Sequence, residues 1–220
     1  MRSSIYRSAA VAREIPARLA RLAPLARLAP LACLRDDTRG VAAVEFAMVL
    51  PIMFFLFVGT VEFSQALTVD RRVTQSASST ADLIARAPKE GLTAAQVDSE
   101  LRIVEQLMRP YDLDPLTVRI VSVLAKKGSS GSLEYRVDWS RDNHGGTPYS
   151  RNSQYDSGKM PAGLLVEKES VIVAEATYNY TPLIFNYFIK KAFDLKDTFY
   201  LKPRNALCVK LEGIQCGSNA

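Results

Sequence analysis

Apolar residues crowd the front of this chain and alternate with polar ones toward its end. Phe46 to Val61 is sixteen residues without a charge, and Val41–Val44 extend the run on the other side of Glu45. As a helix, Val41–Val61 is about 31 Å long, against a hydrocarbon core of about 30 Å. The pattern predicts a membrane-spanning helix over residues 41–67. Pro51 should kink it, because its missing N–H frees the Ala47 carbonyl. A secretory signal has a shorter apolar core followed by a small-x-small site, and Gly59-Thr60-Val61-Glu62 offers none.

Beyond the run the period stays helical. Val69, Val73, Ala77 and Ala81 recur every four residues, with Ile84 three further on, while Arg71, Arg72, Gln75 and Asp82 take other faces. That is an amphipathic stalk over residues 68–90 that needs a partner surface. The partner is either the protein's own sheet or a neighbouring copy. Pro88 and Gly91 end the stalk. Thr93 to Met108 predicts a second helix, with Thr93 and Gln96 as a capping box, Val97, Leu101, Val104 and Leu107/Met108 on its apolar face, and Pro110 as its stop.

Then the period changes to two. Leu116–Leu124, Leu133–Trp139, Ser170–Tyr180 and Asn205–Leu211 predict four strands. In the second, Leu133, Tyr135, Val137 and Trp139 face in while Glu134, Arg136 and Asp138 face out. In the third, Ile172, Ala174, Ala176, Tyr178 and Tyr180 share a face. Ser140–Pro161 is polar and reads as a long surface excursion. Pro182–Leu195 is greasy but too short to span a bilayer as a helix. It is either a core-capping helix or a docking surface, with Lys190 and Lys191 at lipid headgroups. The expected fold is α+β: a long N-terminal transmembrane and stalk helix packed on a small antiparallel sheet, with a second helix, and a body over residues 91–220.

Charge separates the ends. Residues 1–39 hold eight arginines against Glu14, Asp36 and Asp37, which accounts for the whole net charge of +5. The balanced remainder speaks against a nucleic-acid-binding domain. The excess reads as a topology signal, with the N-terminus inside and the C-terminus outside. Pro24 and Pro30 interrupt any long helix in this leader, which also shares the Arg-rich, acid-poor character of a transit peptide. Of three cysteines, Cys33 lies in the leader. Cys208 and Cys216 are a candidate disulfide if the body is exported, or two buried thiols if it is not.

No residue pattern points to catalysis, a metal or a cofactor. The single histidine, His144, sits in a turn-like Asp-Asn-His-Gly-Gly loop. Gly128-Ser-Ser-Gly-Ser lacks the lysine and the context of a phosphate loop. The chemistry that stands out is done to the chain. In Arg39-Gly40-Val41-Ala42-Ala43-Val44-Glu45-Phe46, a glutamate lies at the start of a membrane-length segment, where a carboxylate costs free energy unless something neutralises it. Cleavage between Gly40 and Val41 would place a new α-amine one helical turn from Glu45. A neighbour's cationic N-terminus would then compensate that carboxylate in a dry environment, and Glu45 would also complement the helix dipole. Alternatively, in an uncleaved anchor, Glu45 reaches the interface beside Arg35 and Arg39.

From Arg39-Gly40 through Pro51, on to Glu62-Phe63, the chain resembles TadE-like pseudopilins of the tight-adherence (Flp) pilus system. Glu175-Ala-Thr-Tyr178-Asn-Tyr180-Thr-Pro182-Leu183 is similar to that family's later Tyr-x-Tyr-x-Pro-Leu segment. The resemblance covers about residues 38–210 and implies a minor, non-enzymatic component of pilus assembly, cut by a prepilin peptidase after Gly40, with Glu45 fifth in the mature chain. It implies a bitopic protein of the bacterial inner membrane with a periplasmic body, at the base or tip of the pilus. The implied partners are the peptidase, other pilins and pseudopilins, the inner-membrane assembly platform and membrane lipid, with no cofactor, nucleic acid or small-molecule substrate. Phe46 departs from the Glu-Tyr of major Flp pilins, which are also far shorter, and this argues against the main filament subunit. The leader is long for the class. TadE-, TadF- and TadG-type members share the front motif. The other open reading is an uncleaved anchor holding a periplasmic binding or enzymatic domain.

Overall fold

The computed structural model describes residues 40–128, 131–184, 186, 191–214 and 216–217. The leader with Cys33, the tip of the Lys126–Ser132 loop and most of 185–190, Lys190 included, lie outside the described residues. The described chain forms helix α1 (Val41–Ala85), helix α2 (Ala94–Glu105) with a 3-10 turn at Gln106–Met108, and strands β1 (Leu116–Lys127), β2 (Leu133–Asp142), β3 (Ser170–Tyr180) and β4 (Phe193–Leu201). All strand pairs are antiparallel, in the order β2-β1-β3-β4. The fold is α+β. Contacts divide the chain into two compact units, one ending at Leu56 and the other beginning at Phe57, inside α1.

α1 passes through Pro51 without ending. Its C-terminal half carries the predicted stripe. Val69, Val73, Ala77, Ala81 and Ile84 are fully buried against Val118 and Ile120 of β1 and Ile172, Ala174, Ala176, Tyr178 and Tyr180 of β3. The small side chains Ala77 and Ala81 let the sheet approach the helix closely. The partner of the stripe is therefore the chain's own sheet, and those residues are not available to a neighbouring copy.

α2 closes one side of this core with Val97 and Leu101. Its capping box is complete: Gln96 N donates to Thr93 Oγ1 over 3.2 Å and Thr93 N donates to Gln96 Oε1 over 2.8 Å. Arg141 on β2 forms a two-pronged ion pair with Asp98 that ties this helix to the sheet.

The first three strands form where the period predicts them. The fourth does not. Asn205–Leu211 forms no strand, and β4 lies at Phe193–Leu201, which shares only Phe193–Leu195 with the Pro182–Leu195 segment read as greasy helix or docking surface. Leu195, Phe199 and Leu201 pack inward from β4, but Asp197 shares their parity and breaks the alternation. Asn205 instead caps α1: its Nδ2 donates to the carbonyls of Arg86 and Ala87, and Arg204 N donates to Ala85 O over 2.8 Å. These bonds satisfy carbonyls that a helix end leaves open. Gly91 follows at φ +98°, with the backbone of Lys210 so close that a Cβ would lie 2.7 Å from its carbonyl oxygen.

Two further departures concern the sheet's outer face. Ser140–Pro161 is more than a surface excursion. Tyr155 and Met160 come from it and, with Leu165, cover Val121, Val123, Val171 and Val173, so the sheet is buried on both faces. And β2 does not alternate cleanly. Trp139 pairs with Ser122 and Val137 with Val123, so Asp138 is an extra residue. This bulge turns Trp139 into the helix-side core and Val137 into the outer one, because one inserted residue reverses the side-chain parity. It also buries Asp138, which was expected to face outward.

Candidate functional site

Every residue from Val41 to Phe57 is exposed, including Phe46 at 62% and Phe57 at 68%. A helix exposed over this length and apolar on every side save at Glu45 needs lipid or other helices as its solvent. It is the one described helix long and apolar enough to cross a membrane. Glu45 and Phe46 lie exposed on it, as does Pro51. Val41 and Glu45 are four residues apart on one continuous helix, so they share a face about 6 Å apart along the axis. Glu45 lies just past the first turn, which holds no acid. The dipole effect fades within that turn, so the expected dipole role is weak. Gly40 precedes the helix. A Cβ on it would meet nothing within 4 Å, and its φ is not among the positive ones. The fold does not require glycine there.

Where the charge-free run ends, the helix changes environment. Val58 and Glu62 continue the buried stripe toward Val69. Glu62 is 7% exposed and accepts a hydrogen bond from Ile184 N over 2.7 Å. Its Oε2 and the Tyr180 hydroxyl are both buried without a hydrogen-bond partner among the described residues. Both line a groove of about 450 Å³ with Gly59, Phe63, Ala66, Pro182, Lys191 and Phe193. Burial first, and the Glu62 charge second, push the Tyr180 phenol above its ordinary range. Of the Tyr-x-Tyr-x-Pro-Leu segment, Tyr178 and Tyr180 are core residues on β3, Pro182 is buried beside the groove and Leu183 is 74% exposed.

Residues 40–82 match the family model of TadE-like proteins. The TadE-like segment starts at Gly40 and ends at Asp82, so it covers the exposed run, the groove's helical wall and most of the buried stripe, but none of the sheet. No curated protein and no solved structure matches the chain.

The remaining polar features are structural. Cys208 and Cys216 form a disulfide with Cα atoms 6.2 Å apart. Buried Asp138 lies against it, and burial raises its carboxyl above the usual range, opposed by a hydrogen bond from the Gly217 backbone. The sulfurs are bonded to each other and present no thiolate for a metal. On the outer face, Glu175 accepts hydrogen bonds from Tyr149 and Tyr155 at 2.9–3.0 Å. Burial first, then the Glu175 hydrogen bond, pushes Tyr149 up to about 12, so both phenols stay protonated as donors. His144 is exposed in its turn. None of these groups forms a nucleophile–base pair.

In the sequence, Glu62 stands out only as part of the Glu62-Phe63 that closes the family-like stretch. The available signal was its spacing: Val58, Glu62, Ala66 and Val69 fall in step with the buried stripe. An acid in that row is as odd as the one at Glu45.

Proposed function

We propose that this protein is a minor pseudopilin of tight-adherence pilus assembly, acting through helix packing and protein contacts. A prepilin peptidase cuts between Gly40 and Val41 at the cytoplasmic face of the inner membrane. The apolar helix stays on the product as a single span over about residues 41–67. The stalk of residues 68–90 and the body of 91–220 stand in the periplasm, where an oxidised Cys208–Cys216 pair belongs. Glu45 receives the α-ammonium of a neighbouring mature subunit, and the partners are other pilins and the assembly platform.

The observation that carries this reading is Gly40 itself. It opens the TadE-like segment, yet no backbone angle and no neighbouring atom calls for glycine. A protease that reads an extended backbone does call for it, because a missing Cβ permits close approach. Glu45 supports the reading because it lies one turn from the amine that the cut creates. Mass spectrometry of protein extracted from membranes of cells with a working peptidase is expected to find Val41 as the first residue. An intact leader in those cells would leave only a tethered body, and the assignment would fall.

A further inference from the structure

We propose that the groove at the C-terminal end of the apolar run binds the headgroup of a phospholipid bearing a primary ammonium, with Glu62 and Tyr180 holding the ammonium and Lys191 the phosphate. The inference rests on the membrane placement proposed above and adds a specific lipid site to it.

The groove is chemically incomplete as it stands. Glu62 is buried, only one of its oxygens is hydrogen-bonded, and no described cation pairs with it. A carboxylate in such surroundings costs several kcal/mol unless it is paired. Tyr180 is 6% exposed, and its buried hydroxyl is also unsatisfied. A primary ammonium brings one positive charge and three donors. It satisfies Glu62 Oε2 and the Tyr180 oxygen together. A quaternary ammonium has the charge but no N–H, and a glycerol headgroup has hydroxyls but no positive charge. The rim adds Lys191, exposed and lining the same groove. An internal anion beside a rim cation matches a headgroup that carries an ammonium joined to a phosphate.

Position agrees with chemistry. Gly59 belongs to the last turn of the charge-free run and Glu62 follows it directly, so the groove opens at the level where the hydrocarbon ends. Phe63, Pro182 and Phe193 give it apolar walls suited to the glycerol backbone and the first methylenes of the acyl chains. Of the lining, Phe193 stands exposed, and Leu183, next to Pro182 in the chain, is exposed too. Apolar side chains beside a lysine at that depth are how proteins seat in the interface.

The test reconstitutes the full chain in nanodiscs of equal parts dioleoyl phosphatidylethanolamine, phosphatidylcholine and phosphatidylglycerol, and counts retained lipids by native mass spectrometry. Wild type is expected to retain phosphatidylethanolamine over phosphatidylcholine by about tenfold, the size of a charge-assisted hydrogen bond. Glu62→Gln and Tyr180→Phe should each lower that preference, with the emission of Trp139 reporting that the variants are folded. Lys191→Gln should weaken retention of all three lipids and leave the ranking unchanged, since all carry the phosphate. Equal retention by wild type overturns the inference, as does a preference that survives both Glu62→Gln and Tyr180→Phe. A Glu62-dependent cross-link to a second copy in place of any lipid preference also overturns it. Failure of the chain to enter the nanodisc overturns the membrane placement as well, whereas entry without selectivity overturns this inference alone.

Discussion

Val41–Phe57 and Val69–Ile84 belong to one helix, and both carry apolar side chains at helical spacing. Their fates are opposite. In the first stretch every residue is exposed, whereas in the second the apolar stripe is fully buried under the chain's own sheet. The difference lies in the other faces. The second stretch has Arg71, Arg72, Gln75 and Asp82 around its stripe, so one surface suffices to remove its apolar area from water. The first is apolar on every side save at Glu45, and no single protein face can cover it. The stalk is covered by its own domain, whereas the first stretch stands exposed among the described residues.

Processing offers the largest break in that comparison. Gly40→Leu should abolish the product that begins at Val41 while leaving the folded body unchanged, because a Cβ at Gly40 meets nothing within 4 Å. Anti-body immunoblots would show only the longer species, and a wild-type ratio of products would contradict the role given to Gly40. Packing comes next. Ile84→Ala should destabilise the body by about 3 kcal/mol through lost burial and a cavity. Leu50→Ala, on the exposed run, should change it by less than about 0.5 kcal/mol. Denaturant unfolding followed by Trp139 emission measures both, and similar losses would erase the distinction between the two halves.

A smaller effect tests the C-terminal lock. Replacing both Cys208 and Cys216 by serine should cost about 2 kcal/mol, as expected for a short closed loop, and a reductant should then have no further effect on stability. The smallest concerns Asp98. Its hydrogen bonds to Arg141, with the charges of Arg141 and Arg102, hold its carboxyl below the ordinary 3.8 against a burial effect that opposes them. A depressed carboxyl contributes stability that is complete above its unfolded value. That contribution should fade as pH falls below 3.8 toward the folded value. Asp98→Asn should remove it, costing about 1 kcal/mol at neutral pH for a partly exposed pair, and should flatten the acid limb of the stability curve. An unchanged limb would mean that the tie between α2 and β2 contributes nothing.

Much of this fold was legible in the order of residues. The stripe from Val69 to Ile84, the capping box at Thr93 and Gln96, and the inward face of Ser170–Tyr180 follow from period and spacing alone. What escaped was governed by long-range contact. Asp197 disguised β4, an edge strand that tolerates a polar residue at an inward position. Asp138 looked like an outward acid because nothing local announces a bulge. The Ser140–Pro161 segment is polar on average, yet its few large side chains, Tyr149, Tyr155 and Met160, close the outer face. At the candidate site, the motif around Gly40 was plain in the sequence. Glu62 falls in step with the buried row of Val58, Ala66 and Val69, but its unpaired burial appears only once β3 and the Pro182 turn close over it.

The cap on α1 sets an order of events for the growing polypeptide. Arg204 and Asn205 close the helix end, Lys210 O accepts from Leu92 N just before α2, and Val209 O takes the Trp139 indole over 2.7 Å. Residues near position 85 therefore wait for partners made about 120 positions later by the ribosome. Such widely separated pairings are slow to form. A nascent chain stalled before Arg204 would hold its stalk unclosed, so stop codons introduced upstream of that point should yield protease-sensitive fragments rather than a smaller working body.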